Sequence, residues 1–253
     1  MEDEKVTGMP MIGDMAPTFS ALTTQGEINF PKDYNGKWVV LFSYQMDFTP
    51  VCATELMQFA AMAKDFKELD TEIIGLSTAS IYSHIAWHRK IKELVWKDIK
   101  HVEINFPIIA DVSMEVSGKY AMLHPNTSMI YTVRAVFIID PEGRIRAVLY
   151  YPVSIGRNIN EIKRIVIALQ KTDKEKAATP ADWTPGEDVM LLPPQTLGAA
   201  ADRVEKVNEN MYCLDWFLAF RQAEDISQDQ ENEPEFNPYP SSYPMRRRNN
   251  NRR

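Results

Sequence analysis

Trp38-Val39-Val40-Leu41-Phe42-Ser43-Tyr44-Gln45-Met46-Asp47-Phe48-Thr49-Pro50-Val51-Cys52-Ala53-Thr54-Glu55 is the stretch from which the rest of the chain is read. Trp38 to Phe42 form a short apolar run of strand character. Beyond it, Leu56, Phe59, Ala60, Met62, Ala63 and Phe66 recur at helical spacing. A proline-bearing turn joins the two and delivers Cys52 into the first helical turn. There the sulfur lies near unpaired backbone N–H groups and the positive end of a helix dipole. That setting favours the thiolate, the reactive form of the residue. The alternative is an inert cysteine packed as a small hydrophobe, and the neighbours Thr49 and Glu55 weigh against it.

Outward from this stretch, strand and helix patterns alternate. Ile28 to Phe30 reads as a strand before the turn at Asn35-Gly36. A helix is expected from about Thr54 to Leu69, then a core strand from Glu72 to Ser77. Ser80 is a cap for a helix carrying His84, Trp87 and Ile91. Phe106 to Ala110 suggests a short strand and Val112 to Tyr120 a helix. Arg134 to Ile139 and Ile145 to Tyr150 are strands paired through the turn at Pro141-Glu142-Gly143. Asn160 to Gln170 is amphipathic, with Ile162, Ile165, Val166 and Leu169 on one face. The pattern is that of an α/β domain on a mixed sheet flanked by helices.

Four segments follow from composition. Residues 1–10 are a flexible start, 11–171 the main domain, and 172–221 a smaller proline-bearing unit with Trp183, Trp216 and Phe217. Residues 222–253 are acidic, then rich in proline and tyrosine, then in arginine and asparagine, and are expected to be disordered. The net charge of −7 gives no electrostatic case for nucleic-acid binding by the body of the protein. No apolar run approaches the ~18–20 residues that span a bilayer. The charged N-terminus lacks the apolar core of a secretory signal. Two cysteines make no disulfide framework, which makes the cytoplasm the expected compartment.

Asp47-Phe48-Thr49-Pro50-Val51-Cys52 resembles the active-site loop of the peroxiredoxins, Pro-x-x-x-Thr-x-x-Cys. Thr132-Val133-Arg134-Ala135-Val136-Phe137 is similar to the strand that delivers that family's arginine, and Gly156-Arg157-Asn158 to a second arginine position. Ala178-Thr179-Pro180-Ala181-Asp182-Trp183 resembles the start of the C-terminal domain in the one-cysteine, peroxiredoxin 6-like subgroup. The likeness extends from about Met11 to about Phe220. It implies a thioredoxin-like fold with a C-terminal dimerisation domain, and a thiol-dependent peroxidase without cofactor or metal. The implied substrates are hydrogen peroxide and small alkyl hydroperoxides. The implied assembly is a homodimer, with a decamer left open.

In that reading Cys52 is the nucleophile that becomes a sulfenic acid. Thr49 places a hydroxyl beside the sulfur, accepting from peroxide and donating to the thiolate. Arg134 stabilises the anion and polarises the peroxide, Glu55 orients arginine, and Arg157 is the second basic group. Two positions depart from the pattern: Gln45 stands where the motif has proline, and Tyr44 where the subgroup usually has histidine. Cys213 resembles the first cysteine of the Cys-x-Asp-Trp-Trp-x-Cys segment of archaeal-type relatives, whose second cysteine falls on Ala219. Cys213 is therefore the candidate to resolve the sulfenic acid, and otherwise an external thiol or dithiol must do so. The rival reading is a structural or interaction protein on the same fold, with a slow pocket and a partner-binding tail. His84 and His88 have the four-residue spacing of a one-face metal pair. Without a third ligand they are read as helix surface. No Cys-x-x-Cys, phosphate loop or Gly-x-Ser-x-Gly element is present.

Overall fold

A computed structural model describes residues 8–205, 207, 208 and 210–223. The expectations for residues 1–7 and for the tail from residue 224 lie outside them. The chain forms two compact units, the first ending at Pro185 and the second beginning at Gly186.

The first unit begins with a hairpin of β1 (Phe19–Thr23) and β2 (Gly26–Phe30), followed by β3 (Trp38–Ser43). Helices α1 (Pro50–Ala61) and α2 (Ala63–Glu68) lead to β4 (Thr71–Ser77) and α3 (Ile81–Glu93). A small hairpin, β5 (Val95–Trp96) and β6 (Ile99–Lys100), precedes β7 (Ile108–Ala110) and α4 (Glu115–Lys119). Then come β8 (Arg134–Ile139), β9 (Ile145–Tyr151), α5 (Ile159–Glu175) and the short β10 (Ala177–Ala178). The main sheet runs β2-β1-β7-β4-β3-β8-β9. Strands β3, β4 and β7 are mutually parallel, whereas β8 runs antiparallel to β3 and β9 to β8.

Every residue of β3 and β8 is buried, because both faces of the sheet are covered. That is why these strands read as continuous apolar runs rather than alternating ones. Successive side chains nevertheless serve opposite layers. Val40, Phe42, Val136 and Ile138 join the core beneath α1, α3 and α5. Val39, Leu41, Phe137 and Ile139 join the core with Phe19, Phe30, Val116 and Tyr120. Phe42 stacks on Phe59 of α1 with ring centroids 4.1 Å apart. Gly75 sits behind that pair, where an added Cβ would meet Ile108 and Phe42 at 3.2 Å. The close approach of β4 to its neighbours there leaves little room for a Cβ, so any larger residue must displace those side chains by a few tenths of an ångström.

The sequence reading needs two amendments. The expected helix from Thr54 begins four residues earlier at Pro50, which occupies the first helical position with Thr49 as N-cap. The edge placed at residue 171 falls inside α5, which continues to Glu175. The charged residues that interrupt the apolar pattern there form a solvated final turn. Lys171 pairs with Glu175 at 2.6 Å, and Lys176 closes the helix in the left-handed conformation.

The second unit contains β11 (Val189–Leu191), α6 (Leu197–Glu205), β12 (Met211–Asp215) and β13 (Leu218–Arg221). Strand β13 lies between β11 and β12, antiparallel to both.

Candidate active site

The C-terminal end of β3 faces the beginning of β8, since Phe42 pairs with Val136 in an antiparallel register. This single pairing brings together the loop that follows β3 and the residue that opens β8. Cys52, on the first turn of α1, and Arg134, on β8, thus meet across 82 positions: Arg134 Nη1 lies 3.2 Å from Cys52 Sγ. Both side chains are buried.

Glu55 is one helical turn beyond Cys52 on the same face. Its Oε2 accepts from Arg134 Nη1 at 2.7 Å, so one guanidinium nitrogen bridges the carboxylate and the sulfur. The other end of the Arg134 guanidinium is held by the Val153 carbonyl, at 3.0 Å from Nε and 2.8 Å from Nη2. Arg157 grips the same carboxylate with its backbone N–H at 2.9 Å, Nε at 2.9 Å and Nη2 at 2.7 Å. Its Nη1 donates to the carbonyls of Ser43 and Ala135. Arg157 does not approach the sulfur by hydrogen bond; it acts on Glu55. One carboxylate against two guanidiniums leaves this buried group one positive charge in excess. An anion at Sγ balances it, and an uncompensated buried charge is strongly unfavourable.

Thr49 is half-buried, and its hydroxyl donates to the Met46 carbonyl at 2.8 Å. Its proton is therefore committed to the loop rather than to the thiolate, which corrects half of the expected role. Its lone pairs remain open to accept. Gln45 is half-buried, and its side-chain amide has no hydrogen-bond partner among the described residues.

A second buried network was missed from sequence. The Tyr44 hydroxyl donates to Asp47 Oδ1 at 2.8 Å, and His84 Nδ1 lies 2.9 Å from Asp47 Oδ2. His84 Nε2 faces the Ile109 carbonyl at 3.3 Å. Oxygen atoms of Asp47 and Ile109 thus stand opposite the two ring nitrogens of His84. Burial pushes the Asp47 carboxyl up. Hydrogen bonds from His84, Ser83 and Tyr44 and the charge of His84 outweigh it and hold the group below its usual range. The expectation that His84 belongs to the helix surface is thus wrong, since it is fully buried. The signal was present, because His84, Trp87 and Ile91 share one face at i, i+3 and i+7. His88 is half-buried, and burial first, then the charge of His84, lower its pKa to about 4.

Cys213 lies on β12 in the second unit, half-buried, with Sγ–H donating to the Asp215 carbonyl at 2.9 Å. It and Cys52 are both free thiols.

A buried cysteine on a helix N-terminus, an arginine bridging it to a carboxylate and a mixed thioredoxin-like sheet define the class as a thiol-based redox protein. Comparison with known proteins makes the class specific. Residues 12–148 match the AhpC/TSA family, and residues 168–206 match the C-terminal domain of 1-Cys peroxiredoxin. A peroxiredoxin of Methanosarcina mazei is 56% identical over 214 residues, covering 84% of this chain and 98% of its own. Among solved structures, a yeast mitochondrial 1-Cys peroxiredoxin is similar with a TM-score of 0.73 and 38% identity. It covers 85% of this chain and 100% of its own. A cysteine-to-serine mutant of the peroxiredoxin 6 of Arenicola marina has the same TM-score of 0.73 at 34% identity, covering 85% of this chain and 99% of its own. The chain belongs to the peroxiredoxin family, of the one-cysteine type. It is a thiol-dependent peroxidase, acting on a hydroperoxide and drawing electrons from a thiol reductant. These likenesses do not favour the rival reading of a structural or interaction protein. No helix among the described residues is long and apolar enough to cross a membrane.

Proposed function

We propose that Cys52 is the residue oxidised by peroxide and that Arg134, Glu55, Arg157 and Thr49 serve it in distinct roles. The reading rests on one observation above all, the Arg134 nitrogen shared between Cys52 Sγ and Glu55. The Cys52 thiolate attacks one peroxide oxygen, an S–O bond forms and the O–O bond breaks. The departing hydroxide or alkoxide takes a proton from water. Sulfur loses two electrons and the peroxide gains them, leaving Cys52 as a sulfenic acid. Arg134 stabilises charge on the sulfur and on the departing oxygen. Thr49, its own proton fixed on Met46, accepts from the peroxide hydroxyl. Glu55 and Arg157 hold Arg134 in place, Arg157 as a positioning residue acting through Glu55.

A thiol then attacks the sulfenic sulfur, water leaves and a disulfide forms. Cys213 of a homodimer partner is one source of that thiol. An external thiol is the other, and the yeast relative, described as resolved through glutathione and thioredoxin systems, supports it. Exposed Leu214 and Phe217 on the hairpin of the second unit support association of two copies. We assign the protein to the cytoplasm because both of its cysteines are free thiols.

Stopped-flow oxidation of the reduced protein by hydrogen peroxide, followed by intact mass, tests this reading. Fast oxidation that is lost in Cys52→Ser is the expected result. Oxidation no faster than that of a free thiol would overturn it.

A further inference from the structure

Met46 to Thr49, in the loop between β3 and α1, close on themselves as a turn. The Thr49 hydroxyl donates back to the Met46 carbonyl, three residues earlier, at 2.8 Å. A threonine at a helix N-cap ordinarily directs its side-chain oxygen to the first N–H groups of the helix. Thr49 is the N-cap of α1 and makes no such bond, so the turn sets where its hydroxyl points. The two central residues of the turn are Asp47 and Phe48, and α3 holds both. His84 Nδ1 lies 2.9 Å from Asp47 Oδ2, and the Trp87 indole packs on the Phe48 ring with centroids 4.7 Å apart. His84 and Trp87 are both buried and stand one helical turn apart on α3.

The turn needs this grip because it is strained. Phe48 has a φ of 58°, a left-handed conformation that is unfavourable for an aromatic residue. A residue keeps such a conformation only where its surroundings over-determine it. Here the held carboxylate of Asp47 on one side and the indole contact on the other supply the constraint. The anchors are themselves tied to the sheet. His84 Nε2 faces the Ile109 carbonyl of β7 at 3.3 Å, and the Tyr44 hydroxyl reaches Asp47 Oδ1 at 2.8 Å from just beyond β3. Trp87 is also an unfavourable way to fill space, since its Nε1 is buried without a hydrogen-bond partner among the described residues. A leucine there would avoid that cost and lose the flat seat for Phe48.

We propose that His84 and Trp87 are positioning residues for the peroxide step. By holding Asp47 and Phe48 they fix the Met46–Thr49 turn, and through it the direction of the Thr49 hydroxyl. They act through the loop and not on the sulfur. The proposal rests on the roles given above to Cys52 and Thr49 and extends them to α3. A misplacement of about 1 Å in a group that meets the substrate lowers a rate by as much as about 10²-fold, so a small relaxation of the turn has a large effect.

Two rates measured on the full-length reduced protein separate positioning from folding. One is oxidation of Cys52 by hydrogen peroxide. The other is alkylation by iodoacetamide, followed by mass at the Cys52 peptide, which needs the thiolate but no aligned peroxide. His84→Leu should lower the first by about 10–100-fold and the second by less than about threefold. His84→Asn, which keeps an amide nitrogen near the place of Nδ1, should recover most of the loss. Trp87→Leu should lower the peroxide rate by about tenfold by way of Phe48, and it carries the test if His84→Leu does not fold. In a Thr49→Val background, His84→Leu should lower the peroxide rate by less than about a further threefold, because the effect it transmits is already gone. A peroxide rate within about threefold of wild type in His84→Leu, or in Trp87→Leu where it stands in, would overturn the proposal. So would equal falls in the two rates, or an undiminished loss in the Thr49→Val background. Slow or Cys52-independent oxidation of the wild type would remove the reading of Cys52 and this proposal with it. Fast, Cys52-dependent oxidation that is unchanged in His84→Leu would remove only the role of α3.

Discussion

At the Cys52 sulfur, one arginine nitrogen is shared between the thiol and a carboxylate. Arg134 Nη1 contacts both Sγ and Glu55, so Arg134→Lys, which loses the fork geometry, should lower the rate of oxidation by hydrogen peroxide by about 10²–10³. Stopped-flow measurement checks this, and a loss under threefold would remove Arg134 from the chemistry. Glu55→Gln is a different kind of change. It leaves two buried guanidiniums facing an uncharged amide, and should destabilise the fold by about 3–5 kcal/mol as measured by denaturant unfolding. Gln45 is one of the two positions at which the sequence reading found a departure from the motif it resembles, and its amide makes no hydrogen bond among the described residues. Gln45→Pro removes a backbone N–H and fixes φ. The peroxide rate should shift by less than about tenfold, or roughly 1.4 kcal/mol in the barrier. A larger gain would mean that the native glutamine handicaps the pocket.

Elements meet at this site because β3 and β8 are neighbours in the sheet, and the loop between β3 and α1 is clamped from the far side by α3. The clamp is His84 on Asp47, with Tyr44 completing it. Asp47 ionises below its usual range in the folded protein. Its stabilising contribution is therefore fully present above the ordinary aspartate pKa of about 4 and is lost as pH falls through the lower folded value. Asp47→Asn should destabilise at neutral pH and remove this part of the acid slope, which unfolding curves between about pH 2 and 7 would reveal. An unchanged slope would show that the clamp carries no such linkage. Much of this level was legible in the sequence. The helical spacing after Cys52 and the apolar runs of β3, β4 and β8 each matched their element, because burial on both faces of a sheet leaves a continuous apolar stretch. The charged end of α5 was not legible, since a solvated last turn and a linker look alike in composition.

For the whole molecule, what matters is where the second thiol comes from. If Cys213 serves, Cys213→Ser should abolish a disulfide-linked dimer on non-reducing gels after peroxide treatment, while oxidation of Cys52 proceeds at the wild-type rate. A disulfide-linked dimer that persists would leave Cys213 without a resolving role. The sequence by itself determined the family and the order of strands and helices, and it singled out Cys52 as the candidate nucleophile, because these depend on local spacing and on short motifs that keep their chemistry wherever they sit. It also contained the His84 face at helical spacing, but composition alone gave no reason to bury a histidine. Only the tertiary structure decided that Thr49 spends its proton on Met46, that Arg157 reaches Glu55 and not the sulfur, and that Val153 holds Arg134. Each depends on backbone carbonyls and side chains brought together from distant positions, and no local pattern encodes which of them will meet.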